Sequence, residues 1–136
     1  MLDGGDWRLE KEAAKEVHNY KKLQVYEKSY KAALSIYRVS KDFPKEEMYG
    51  LTSQIRRAAV SIPLNIAEGY AKRESQSEFK RYLMMAIGSN DEVSVLLDFS
   101  KDLGYITEDL YEKGKAEYIK IGKMLTELIK TVSEKI

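Results

Sequence analysis

The sequence contains no cysteine, only two prolines, Pro44 and Pro63, and a single histidine, His18, in 136 residues. The lack of cysteine excludes disulfides, thiolate metal sites and a cysteine nucleophile, and it fits a reducing cytoplasm. No apolar run approaches the length of a membrane span, so no membrane contact is expected. The N-terminal stretch MLDGGDWRLEKEAAKE has no hydrophobic core followed by a cleavage site and does not read as a signal peptide. The protein is therefore expected to be cytoplasmic. An excess of one charge is also missing. Lys and Arg total 23 against 22 Asp and Glu, a net of +1. The chain-wide basic footprint of a nucleic-acid binder is thus absent, and any such surface must be a local patch or be assembled from several subunits.

The scarcity of histidine limits the chemistry. A di-iron bundle needs Glu-x-x-His pairs on facing helices, and one histidine cannot supply them. There is no nucleophile-elbow sequence for a Ser-His-Asp triad. EGYAKRES holds one glycine and is not a phosphate-binding loop. With no acid–base constellation in view, the chain is expected to be non-catalytic, without metal or cofactor.

What is present is helical spacing. Apolar residues recur at three- and four-residue intervals through long segments, and no strand-like alternation stands out. Residues 1–22 form a charged, thinly apolar extension that carries Trp7, Leu9, Ala13, Ala14 and Val17. It is expected to be a peripheral helix or a partly ordered arm. Residues 23–136 read as one domain of four helices. The first runs from about Val25 to Asp42, with one stripe at Val25, Ala32 and Ile36 and a second face at Tyr26, Tyr30 and Tyr37. Phe43-Pro44 ends it, because a residue before proline avoids helical geometry. The second begins near Glu46, with Met48, Leu51, Ile55, Ala58, Ile62 and Ile66 inward. Pro63 lies inside it and removes one hydrogen bond at a cost of about 3 kcal/mol, yet the stripe continues past it, so a kinked but continuous helix is expected.

Ser75-Gln76-Ser77-Glu78 reads as a reciprocal capping box that opens the third helix. Its stripe is Phe79, Leu83, Ala86, Asn90, Val93, Leu97 and Ser100. Gly104 suits a left-handed C-terminal position. Thr107 caps the fourth helix, whose stripe includes Leu110, Gly114, Tyr118, Ile121 and Leu125. Short linkers make consecutive helices antiparallel, giving an all-α, up-down four-helix bundle. Asn65 and Asn90 lie on or near core stripes and are read as register-fixing amides. Gly88, in mid-helix, is expensive unless a neighbouring helix packs close to it.

The candidate binding residues are cations. Arg56 and Arg57 point about 100° apart on a helix, so one should flank the core and the other face solvent. Lys72, Arg73, Lys80 and Arg81 cluster around the start of the third helix, where helix N-termini also favour anions. From Gly50 to Tyr82, six cations face three anions, a net of +3; from Leu83 to Glu112, one cation faces seven anions, a net of −6. Such polarity can steer a nucleic acid or pair subunits head to tail. Ten tyrosines, several outside the core stripes, suit half-wet interfaces and point to oligomerisation.

The phrases YGLTSQIRRAAVSIPLNIAEGYAKRES, EFKRYLMMAIGSNDE and LGYI are together similar to the four-helix-bundle family of proteins encoded within intervening sequences of bacterial 23S rRNA genes. The resemblance runs from about Leu23 to Leu128. Members are often labelled ribosomal proteins, a label that reflects gene location. The same family includes the accessory protein of diversity-generating retroelements. That resemblance implies a homopentamer with a central channel, nucleic-acid binding by basic residues and a partnership with reverse transcriptase. Arg56 and Arg57 match the family's paired arginines, Arg73 the basic residue after the EGY turn, and Arg81 the basic residue before YL. Near-neutral net charge is the departure from an efficient nucleic-acid binder. Two functions follow as expectations: an oligomeric bundle binding nucleic acid, structured RNA first among the options and DNA the other, or a scaffold for a protein partner in which the arginines serve subunit contacts.

Overall fold

In a computed structural model of the chain, Tyr20 and residues 23–134 are described. The rest of the expected N-terminal extension, including Trp7 and His18, lies outside the described residues. Among the described residues, four α-helices make up the fold: α1 Gln24–Ser40, α2 Leu51–Ala71, α3 Gln76–Asp102 and α4 Glu108–Glu134. No strand occurs among the described residues. Each helix packs antiparallel on the next, and α1 closes against α4. This is the all-α up-down bundle that the linker lengths predict.

The stripes read from the sequence form the core. Ile55, Ile62 and Ile66 of α2, Leu83 and Val93 of α3, and Ile121 and Leu125 of α4 are essentially fully buried. Each contributes roughly 1.5–3 kcal/mol through removal from water. The backbone stays helical through Pro63, which is itself buried. The Asn65 side chain there donates to the Ser61 carbonyl at 2.8 Å, and the Ser61 and Ser89 hydroxyls are hydrogen-bonded across α2 and α3.

Four details differ from the sequence reading. The second helix starts at Leu51 and not near Glu46, because Lys45–Glu47 form a separate 3₁₀ turn and Gly50 leaves helical geometry at ψ −114. Met48 therefore sits outside the core, 48% exposed. The Glu47 carboxylate does the capping: it accepts from the Leu51 N–H at 3.1 Å and from the Tyr105 hydroxyl at 2.8 Å. Its pKa is held below the usual carboxylate range, first by the Tyr105 hydrogen bond and then by the Leu51 amide.

The capping box of α3 is only half made. Ser75 Oγ accepts from the Glu78 N–H at 3.3 Å, but the Glu78 carboxylate turns to Arg81 instead of returning to Ser75. Gly88 has no close neighbour: a side chain there would meet nothing within 4 Å. Nothing among the described residues explains that glycine. Leu110, in the first turn of α4, is exposed because the stripe reaches the core only one turn later, at Gly114, which faces Leu97. Gly104 does take φ +80, and Thr107 Oγ1 accepts from the Leu110 N–H at 3.2 Å.

Candidate nucleic-acid interface

The turn between α2 and α3 is built on a close helix approach. A Cβ on buried Gly69 would fall 2.8 Å from Tyr82 Cβ and 3.3 Å from the Phe79 carbonyl oxygen. Only glycine lets the two backbones come this near. The approach brings the end of α2 against the first turns of α3, and with it four of the six candidate cations. Lys72 Nζ lies 5.4 Å from the Tyr82 ring centroid, and Arg81 Cζ lies 4.6 Å from the same centroid. Arg73 Cζ stacks 4.2 Å from the Tyr70 centroid while its Nη1 donates to the Tyr70 carbonyl at 2.9 Å. Two tyrosines thus serve as platforms that hold the cations in place.

Glu78 is the counter-charge. It takes a two-pronged bond from Arg81, Nε to Oε2 at 2.9 Å and Nη2 to Oε1 at 3.2 Å. That pairing, with Lys72 nearby, holds the Glu78 carboxyl below its usual range. Lys80 is exposed and has no partner among the described residues. At this end Lys72, Arg73, Lys80 and Arg81 stand against Glu74 and Glu78, beside the free N–H groups of an α-helix that opens at Gln76. Cations, flat rings and a helix N-terminus together suit phosphate oxygens.

Arg56 and Arg57 are elsewhere. Sixteen residues along α2 separate Arg56 from Lys72, about 24 Å at 1.5 Å per residue. The +3 segment therefore forms two separate basic surfaces, not one. Arg56 flanks the core as expected: its Nε donates to Ser40 Oγ at 2.8 Å and its guanidinium lies 4.8 Å from the Tyr37 centroid. Arg57 is exposed. The pair shares its end of the bundle with the acidic stretch, since α3 finishes and α4 begins there. In that stretch Asp98 accepts from the Tyr111 hydroxyl at 2.7 Å and from Lys115 at 2.9 Å.

The sequence reading missed Tyr70, Tyr82 and Ser40 as the groups that fix the cations. Tyr82 follows Arg81 directly and Tyr70 precedes Arg73 by three, so local spacing carried a signal for those two. Ser40 contacts Arg56 from another helix, and no local spacing reports it. No cluster of three or more His, Cys, Asp or Glu able to hold a metal occurs among the described residues. None of the described helices is long and apolar enough to cross a membrane.

A four-helix bundle whose α2–α3 turn carries aromatic-seated cations defines the class. Within it, the family model described as 23S rRNA-intervening sequence protein matches residues 21–127, and the chain belongs to that family. Among solved structures, a protein of unknown function from the S23 ribosomal protein family of Bacteroides thetaiotaomicron VPI-5482 is similar, with a TM-score of 0.71 and 29% identity. The match covers 78% of this chain and 95% of that one. No curated protein matches the chain.

Proposed function

We propose that this protein is a non-catalytic, homo-oligomeric helical bundle that binds nucleic acid, structured RNA in particular, through the basic surface at the α2–α3 turn. The observation that carries the reading is the convergence of Lys72, Arg73 and Arg81 on one turn, seated on Tyr70 and Tyr82, with exposed Lys80 on the same first turns of α3. Five copies, as the family likeness implies, would repeat the patch around a ring. Multivalency would then offset a net charge of only +1 per chain. Arg56 and Arg57, far along α2, belong to a different surface in this reading.

The test is RNA binding measured across a salt series. Wild-type protein should bind at low salt and weaken as salt rises. The variant Lys72→Gln, Arg73→Gln, Lys80→Gln should bind more weakly to all sequences, with a salt slope reduced by about 1 for each of these cations that meets a phosphate. Absence of binding at low salt, or binding indifferent to salt, rejects the proposal.

The alternative is a scaffold for a protein partner. The fixed, half-buried seat of Arg56 on Tyr37 and Ser40 favours a contact role for that end of the molecule.

A further inference from the structure

One face of the bundle is apolar and open. On α1, Tyr30, Leu34 and Tyr37 are 49%, 43% and 41% exposed. Their three- and four-residue spacing puts them on one side of the helix. The antiparallel register set by Arg56 and Ser40 brings Leu64 of α2, itself 54% exposed, to the same level. Isolated exposed apolar residues need no explanation, but contiguous rows mark contact surfaces. Charge does not choose the occupant. Glu27 and Glu68 border this face as well as Lys41 and Arg56, and Glu27 is already paired with Lys31 at 2.8 Å.

The chain itself leads onto this face. The Leu23 N–H donates to the Tyr20 carbonyl at 3.0 Å, a turn just ahead of α1. The Tyr20 ring meets Tyr26 edge-on at 4.9 Å, and Tyr26 lies 6.0 Å from Tyr30. The row of rings thus begins with a residue that precedes the helix. Residues 1–19, outside the described residues, attach at that point. Their sequence carries Leu9, Ala13 and Val17 at four-residue spacing and the only tryptophan of the chain, Trp7. Thirteen residues along the chain from Trp7 to Tyr20 span about 20 Å even at the rise of a helix, and the face from Tyr26 to Tyr37 is about 17 Å long. The segment is therefore long enough to cover it. The family match begins at residue 21, so this segment lies outside the part shared with the family.

We infer that residues 1–19 dock on the α1 tyrosine face of their own subunit, with Trp7 seated toward its Leu34–Tyr37 end. Covalent attachment selects this occupant. A tethered segment meets the face at an effective concentration on the order of millimolar, which a free partner of similar chemistry must outcompete. Tryptophan suits the place, because an indole offers a broad apolar ring and one N–H donor to a half-wet surface of tyrosines. Arg56 lies over the Tyr37 ring, so the docked segment screens both the apolar row and the arginine beside it. The extension is in this way a built-in cover for the α1–α2 side of the bundle. The inference goes beyond the nucleic-acid reading and does not depend on it.

Trp7 reports on its own surroundings, since no other tryptophan is present. Indole emission and acrylamide quenching are read on the full chain, with helicity followed by circular dichroism. Native Trp7 should emit to the blue of the urea-unfolded chain and be quenched less. Tyr30→Glu with Leu34→Glu should move both readings toward the unfolded values while helicity is kept. Val95→Glu with Phe99→Glu, at exposed positions on α3, should move neither. Gln at the two α1 positions serves if Glu unfolds the chain, and is read by the same criteria. Native emission equal to that of the unfolded chain, an α1 variant without effect, or an α3 variant with the same effect overturns the inference. Refolding the α1 variant with an excess of the Trp7→Phe chain then tests whether the contact is intramolecular. Trp7 should stay exposed in that mixture; recovered burial would place the segment on a neighbouring copy and overturn the inference.

Discussion

The Asn90 side chain donates from Nδ2 to the Tyr118 carbonyl oxygen at 2.9 Å, inside the seam between α3 and α4. The contact needs Gly122 beside it, since a Cβ there would approach Asn90 Nδ2 to 3.1 Å. One amide thus ties the register of two 27-residue helices. Its gain is limited, because Asn90 Oδ1 is buried without a partner among the described residues. Truncation to Ala loses a buried hydrogen bond but also removes that unpaired acceptor. Asn90→Ala should therefore lower stability by only about 1 kcal/mol, the low end for a buried pair. Urea unfolding checks this, and a loss near 3 kcal/mol would show that Oδ1 is satisfied in solution.

Gly69 and Gly88 should respond oppositely to alanine. At Gly69 the new Cβ would lie 2.8 Å from Tyr82 Cβ and 3.3 Å from the Phe79 backbone oxygen. The helices must separate, at a cost of about 1–3 kcal/mol. The same movement displaces Lys72 from Tyr82 and should weaken RNA binding. At Gly88 a Cβ meets nothing, so helix propensity alone acts, a gain of up to about 1 kcal/mol. Thermal unfolding of the two variants decides it; equal effects would reject the close approach at Gly69.

Glu78 restrains the basic turn. Glu78→Gln should release Arg81 and remove one negative charge beside Lys72. RNA affinity should rise and the salt slope should steepen by about 1. Stability should fall slightly, because an anion is lost from the first turn of α3. Unchanged affinity with a normal fold would separate this turn from nucleic-acid binding.

The pair Tyr111 and Asp98 predicts a pH response. The Asp98 carboxylate, accepting a hydrogen bond from the Tyr111 hydroxyl, pushes that hydroxyl up to about 12 from 10.0. A raised folded-state value gives stability that is complete below pH 10 and lost as pH rises through about 12. Asp98 moves the other way, held low by Tyr111 first and then Lys115. Its contribution is present above the usual carboxylate range and lost as acid drives pH through its lowered value. Tyr111→Phe should flatten part of the stability loss between pH 10 and 12 and bring Asp98 nearer its ordinary titration. Buried Tyr118, raised by burial, should retain the rest of the alkaline loss. Far-ultraviolet circular dichroism across pH reads both arms; an alkaline profile unaltered by Tyr111→Phe would discount the Asp98 hydrogen bond.

The sequence by itself determined what is local. Helix spacing put Ile55, Ile62, Ile66, Leu83, Ile121 and Leu125 inside, because a 3.6-residue period fixes one face of a helix wherever that helix packs. Ser75, Thr107 and Gly104 marked helix ends through bonds and backbone angles that span only a few residues. The adjacency of Arg56 and Arg57 was enough to send one toward the core and the other to solvent.

Tertiary structure decided whatever depends on distance through space. The cations from Gly50 to Tyr82 sum to one patch along the chain, but a continuous α2 places Arg56 about 24 Å from Lys72. Glu78 chose between Ser75 and Arg81 by the partner that lay within reach, a competition no capping motif records. Ser40 found Arg56 across a helix pair, and Glu47, in the α1–α2 connection, found Tyr105 in the α3–α4 connection at the same end of the bundle. Met48 left the core because the backbone broke at Gly50. Gly88 has open space around it because no other described helix passes there. Periodicity says which side of a helix is apolar, and only packing says what that side meets.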